Sequence, residues 1–144
     1  MLHNQKGFTL IESLIVLSIF LLISSITAFS LKPQYYSVNE KAFISQLKAD
    51  LYYGQQYAIA NQTEVKVFFY EHEHMYFLAA GSNLLVERFH SPKISVSQAT
   101  IPLYFKFLPS GNIDRFGSLL IRSERKIYRL TLLIGKGRFY VTED

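Results

Sequence analysis

Glu12 stands alone as an ionisable side chain within an apolar run from Phe8 to Leu31. A carboxylate held in an apolar medium costs several kcal/mol, so an acid in such a run points to a function and to a cationic partner. Lys6 precedes the run across a glycine and is poorly placed to be that partner. A second set, Glu71-His72-Glu73-His74, puts two imidazoles two positions apart, where a strand would turn both to one face and let them ligate a metal. It lies between two strand candidates, where a polar connection is expected, and it lacks a distant Cys/His set or HExxH spacing, so no metal is assigned to it. A third set is basic: Arg115, Arg122, Arg125, Lys126, Arg129, Lys136 and Arg138. Together with Tyr128 and Tyr140 as stacking planes, these residues are the candidate contacts for nucleic acid if several share one exposed face. The ordinary alternative is a solvated set of strand and turn residues, since no nucleic-acid motif frames them.

Catalysis finds little support. His3 lies in the amino-terminal leader and His90 beside Ser91-Pro92, and there is neither a GxSxG elbow nor a glycine-rich phosphate loop. The reading is that the chain is not an enzyme and needs no cofactor. There are no cysteines, which removes disulfides, thiolate chemistry and Cys-based metal sites. The formal charge of +4 permits attraction to nucleic acid or anionic surfaces without choosing among them.

The elements that must position these residues follow from periodicity. Phe8 to Leu31 is roughly two dozen residues, and at about 1.5 Å per residue a helix of that length crosses a hydrocarbon layer of about 30 Å. The expectation is a transmembrane helix with the amino terminus inside and the rest of the chain outside. A secretory signal peptide fits less well, because the run exceeds the usual apolar length and Ser24, Ser25, Ala28 and Ser30 make no clean cleavage pattern. Lys32-Pro33 marks a bend, after which Phe43, Leu47, Leu51, Gly54 and Ala58 share one helical face, with Lys41, Ser45, Lys48 and Gln55 opposite. Asp50 reads as a solvated flank residue. From Thr63 onward the period shortens, giving strands at 64–70, 75–79, 84–89, 94–96, 103–108, 118–121, 127–134 and 138–141 separated by Gly, Pro, Ser and Asn turns. Helix first and antiparallel sheet afterwards make an α+β chain with one core.

Gly7-Phe8-Thr9-Leu10-Ile11-Glu12-Ser13, after a leader ending in Lys6-Gly7 and before a long apolar helix, resembles the type III signal of type IV pilins and pseudopilins. The resemblance implies that a prepilin peptidase cuts between Gly7 and Phe8, that Phe8 is N-methylated, and that Glu12 pairs with the new amino terminus of a neighbouring subunit. Ala58-Ile59-Ala60-Asn61, the valines at 65 and 67, Phe107-Leu108-Pro109-Ser110-Gly111 and Gly137-Arg138-Phe139-Tyr140-Val141 are similar to segments of minor pseudopilins, those of the H type in type II secretion and of the FimT group. The serine-rich continuation Glu12 to Leu22 looks most like the competence pseudopilins of Gram-positive bacteria, which take up transforming DNA.

The family's implications are a pilin-like fold and four segments: a leader at 1–7, a transmembrane and filament-core helix at 8–31, an amphipathic stalk at 32–61 and an antiparallel sheet domain at 62–144. Its partners would be other pilin-like subunits, the prepilin peptidase, the membrane and DNA, directly or through the filament. The expected location is the cell membrane and cell surface of a Gram-positive bacterium. A secretion or type IV pilus system is the alternative assignment, and a membrane-anchored DNA receptor or enzyme a more distant one.

Overall fold

The computed structural model describes residues 9–124, 126–135 and 137–144, with 27–39 described as helical backbone alone. Among the described residues one helix, α1 (Leu10–Ala60), precedes eight strands: β1 (Val65–Tyr70), β2 (Met75–Ala80), β3 (Asn83–Phe89), β4 (Ser95–Gln98), β5 (Tyr104–Phe107), β6 (Gly117–Arg122), β7 (Ile127–Leu132) and β8 (Phe139–Glu143). The chain divides into two compact units, residues 1–39 and 40–144.

The architecture is α+β, a helix packed on antiparallel strands, and it corrects the expected one in two respects. Among the described residues no helix is long and apolar enough to cross a membrane. Beyond its apolar run, α1 carries Lys32, Glu40, Lys41, Lys48 and Asp50, which no membrane interior accepts cheaply. The transmembrane helix and the inside-to-outside orientation built on it are therefore overturned. The second correction is that the strands form two sheets of four, in the orders β3-β2-β1-β5 and β4-β6-β7-β8, rather than one.

Both sheets are antiparallel throughout, and their alternation explains the division of faces. Val65, Val67 and Phe69 of β1 point inward, as do Tyr76, Leu78 and Ala80 of β2 and Phe105 and Phe107 of β5. The second sheet contributes Val96, Leu119, Ile121, Leu130, Leu132 and Phe139 to the same core. Leu47, Leu51 and Ala58 of α1 are fully buried in it. Each buried leucine contributes about 1.5–3 kcal/mol. On the outer face of the first sheet Phe68 stacks on Phe77 at 4.9 Å and on Tyr104 at 4.5 Å, and Arg115 lies 5.1 Å from the Tyr104 ring centre. This row ties three strands together across the sheet.

Two polar residues of α1 are buried where the sequence pattern places them outside. Asp50 accepts hydrogen bonds from the Tyr76 hydroxyl at 2.7 Å, Gln46 Nε2 at 2.8 Å and Arg88 Nε at 3.1 Å, joining α1 to β2 and β3. Burial and the adjacent carboxylate push the Tyr76 phenol well above its ordinary range. Gln55 donates through Nε2 to the carbonyls of Gly111 at 2.8 Å and Gly137 at 3.0 Å, holding two turns against the helix. The reason is geometric. Gln55 lies four residues after Leu51 and eight after Leu47, and Asp50 lies three after Leu47, so both belong to the buried stripe of the helix.

Replacing Gln55 by Ala leaves two buried carbonyls without their donor. The expected cost is about 2–3 kcal/mol of folding stability. Urea unfolding measures it as a lower midpoint at unchanged slope. A loss below about 0.5 kcal/mol, the size of an ordinary surface substitution, would show that the clasp contributes little.

Candidate functional site

The amino-terminal part of α1 begins at Thr9, whose Oγ1 accepts from the Glu12 amide at 3.4 Å and whose carbonyl accepts from the same amide at 3.1 Å. Thr-x-x-Glu is the spacing of a capping box, so Thr9 terminates the helix and Glu12 occupies its first turn. That spacing is a local signal for the helix start, and it places the start more sharply than the apolar run does. The carboxylate there interacts favourably with the positive end of the helix dipole, by about 0.3–1 kcal/mol. The serines next along the run satisfy themselves: Ser13 Oγ donates to the Thr9 carbonyl at 3.4 Å and Ser18 Oγ to the Leu14 carbonyl at 2.8 Å. Glu12 differs from them. Among the described residues its carboxylate has no cationic partner.

Around it the helix is apolar and exposed on all sides. Leu10 is 82% exposed, and Ile11, Leu14, Ile15, Val16, Leu17, Ile19, Phe20, Leu21, Leu22, Ile23 and Ile26 are all exposed. A helix that is apolar all round is stable only when something covers it. Gly7 and Phe8, the residues of the expected cleavage and methylation, lie outside the described residues.

The basic candidates are brought only partly together. Lys126 Nζ pairs with Glu143 at 2.6 Å, and Arg129 grips both carboxylate oxygens of Asp144 at 3.2 and 2.6 Å. These bonds raise Lys126 and Arg129 above their ordinary pKa values and lower Asp144 below the usual carboxylate range. Arg122 donates to Ser97 Oγ at 3.1 Å, and Arg115 pairs with Asp114 at 3.1 Å. The Arg138 guanidinium has no carboxylate partner among the described residues. Arg125 and Lys136 lie outside the described residues. Tyr128 is 9% exposed and Tyr140 45%, so only the second offers a free ring.

Glu71-His72-Glu73-His74 forms the turn between β1 and β2, and His72 and Glu73 project into solvent. His74 adopts the left-handed conformation, with φ 49°, and its Nδ1 is buried without a hydrogen-bond partner. Its ring meets His90 edge-on at 5.7 Å, and Phe43 covers His90 at 5.0 Å. Among the described residues no group of three or more His, Asp or Glu side chains is placed to hold a metal ion.

Burial lowers the His90 pKa below its ordinary value, with a smaller contribution from His74. Above about pH 6.5 this imidazole is neutral folded and unfolded, and its stabilising contribution is fully present. As pH falls, the unfolded chain takes the proton first, and stability is lost down through the lower folded-state pKa. The urea midpoint of the protein should therefore decline on acidification through this window, and His90→Phe should flatten that part of the profile. An identical slope in the variant would assign the acid sensitivity elsewhere.

Comparison with known proteins bears on both parts of the chain. Residues 2–28 match the model of the prokaryotic N-terminal methylation motif. The competence protein ComGD of Bacillus subtilis (strain 168) is 31% identical over 140 residues, covering 97% of this chain and 95% of that protein. Among solved structures, the type IV minor pilin FimU of Pseudomonas aeruginosa superposes with a TM-score of 0.62 at 13% identity, covering 75% of this chain and 92% of that one. The minor pseudopilin EpsH of the Vibrio cholerae type 2 secretion system gives 0.57 at 12% identity, covering 73% and 97%. These two likenesses establish the fold. Because the matches span Gram-positive and Gram-negative bacteria, the expectation of a Gram-positive source is overturned, together with the single-pass membrane placement that rested on a crossing helix.

Proposed function

The chain belongs to the type IV pilin and pseudopilin family, and on that premise we propose that it is a minor subunit of a competence pilus, used to take up extracellular DNA. It is a structural subunit of a pilus-like or secretion-related filament and not an enzyme. The competence assignment is supported by likeness along nearly the whole chain to the Bacillus competence protein. A secretion filament or a type IV pilus is the alternative, supported by the shared fold of EpsH and FimU.

In this reading residues 1–7 are a leader that prepilin peptidase removes after Gly7. Residues 8–31 are the filament-core helix, 32–61 the stalk and 62–144 the sheet domain. Phe8 becomes the methylated first residue, and its α-ammonium, with a pKa of about 8, is the cation that Glu12 of an adjoining subunit needs. Two such groups removed from water together are costly unless paired, and this cost makes the pair a register mark for packing. The exposed apolar side chains from Leu10 to Ile26 are the surface on which neighbouring subunits close.

Mass spectrometry of the mature chain is expected to find a methylated phenylalanine at the amino terminus. An uncut Met1 chain, or a cut beyond Ala28, would end the reading. Glu12→Ala should leave cleavage intact and reduce incorporation into filaments, and normal incorporation would remove the pairing role. Loss of the gene is expected to abolish transformation. Unaffected transformation with impaired secretion would move the subunit to the alternative system.

A further inference from the structure

Of the four strands at sheet edges, β8 is the one left open beside a charged groove. The outer side of β5 is covered by its own chain, through the Phe107 to Ile113 bridge and the Asp114 amide donating to the Lys106 carbonyl at 3.0 Å. The β3 edge is bent by a bulge, where the register slips between Leu78 and Ala79, and its Arg88 is committed to Asp50. Strand β4 is four residues long. These are the ordinary ways of blunting an edge. Strand β8 has five residues, contains neither proline nor a bulge, and presents Tyr140-Val141-Thr142, all strand formers.

The ladder fixes which of its backbone groups are free. The Leu133 amide donates to the Arg138 carbonyl and the Asp144 amide to the Ile127 carbonyl, both at 2.9 Å, so the even-numbered residues face β7. Bonding alternates along an antiparallel strand, which leaves the amides and carbonyls of Phe139, Val141 and Glu143 directed outward. No backbone partner meets them among the described residues.

An open groove of about 280 Å³ adjoins this edge, lined by Lys41, Ile44, Ser45, Lys48, Tyr128 and Glu143. Lys41 and Lys48 are seven residues apart on α1, about 10.5 Å along the helix and on the same face. Neither ammonium pairs with a carboxylate among the described residues. The acid in the groove, Glu143, is neutralised by Lys126. The groove therefore has an apolar floor, two unmatched positive charges and, at its side, three residues of unpaired strand backbone.

We propose that β8 and this groove accept an extended acidic segment of another filament subunit, added as a further strand to the second sheet. Backbone bonds to Phe139, Val141 and Glu143 would supply the affinity, and Lys41 and Lys48 would select for carboxylates in the added strand. The spacing suits this occupant, since carboxylates on alternate residues of one strand face recur about every 6.6 Å and two or three of them span the distance between the lysines. A polyanion without a peptide backbone, such as single-stranded DNA, would satisfy the lysines and leave the edge unpaired. The filament reading enters only in saying where the segment comes from, and binding by the isolated chain is independent of the amino-terminal processing that tests that reading.

The probe is a synthetic hexapeptide alternating glutamate with valine and threonine, titrated against the full chain in detergent micelles, with a lysine-for-glutamate peptide and an oligothymidine as controls. Saturable binding is expected for the acidic peptide alone, with slower hydrogen exchange at the amides of Phe139, Val141 and Glu143. The double variant Lys41→Glu, Lys48→Glu should weaken it about tenfold or more. Val141→Pro removes an outward donor without touching the bonds to β7, a position where an edge strand tolerates proline, and should abolish the exchange protection. Binding that survives Val141→Pro with no change in exchange, or equal binding of the oligothymidine, would reduce the groove to a simple anion site and overturn the proposal. Absence of peptide binding to the unmodified chain would overturn it as well.

Discussion

The closeness with which α1 lies on the first sheet at Gly54 governs much of the remaining fold. A Cβ at that position would stand 2.5 Å from Leu78 Cδ2 and 3.4 Å from Val65 Cγ1, so any larger residue would force the buried Leu78 side chain or the helix to shift. Only at this separation can Gln55, the next residue, reach both Gly111 and Gly137. Gly137 is itself constrained, with φ 57° and a Cβ position blocked by the Gly111 carbonyl. The turn it makes delivers the chain into β8. One small residue on the helix thus fixes, through its neighbour, where the last strand of the second sheet begins.

The charge of the sheet domain is distributed less simply than a net +4 suggests. The final two residues, Glu143 and Asp144, neutralise Lys126 and Arg129, which in sequence are part of the densest basic stretch. Pairs this exposed add little to stability, between zero and about 1 kcal/mol, but they cancel the local field. Positive charge without a matching carboxylate among the described residues then remains at Lys41 and Lys48 on the helix, at Lys66 on β1, at Arg122 on β6 and at Arg138 beyond the turn.

Much of the strand order along the chain is legible because half-buried strands alternate. Val65, Val67 and Phe69 against Lys66, Phe68 and Tyr70 is a pattern that packing enforces residue by residue. Partition into two sheets is not legible, since the same alternation serves either arrangement and the pairing partners lie far apart in sequence. Asp50 and Gln55 escape the pattern for a different reason. Polarity suggests exposure, whereas each of these side chains has dedicated partners contributed by strands and turns 26 to 82 residues away, which no local pattern reveals. The apolar run has the length and composition expected of a membrane span. Among the described residues no helix is long and apolar enough to cross a membrane, and hydropathy alone does not distinguish a lipid partner from a protein one.

That last ambiguity is where the physics of the amino terminus becomes informative. Ser13 and Ser18 return their hydroxyls to backbone carbonyls and so ask nothing of a neighbour. Among the described residues Glu12 has no such local solution for its charge beyond the weak attraction of the helix end, while the side chains around it are exposed. A lipid environment would cover the apolar surface and leave the carboxylate unmatched. A bundle of like helices could do both under the proposed cleavage after Gly7, because each copy carries the same apolar surface and would then carry a positive terminus to set against the acid of the next. Under the proposed processing, the chemistry of one glutamate would favour a proteinaceous destination for this helix, and the register of assembly, rather than the mere burial of apolar surface, would be the quantity that the amino-terminal sequence specifies.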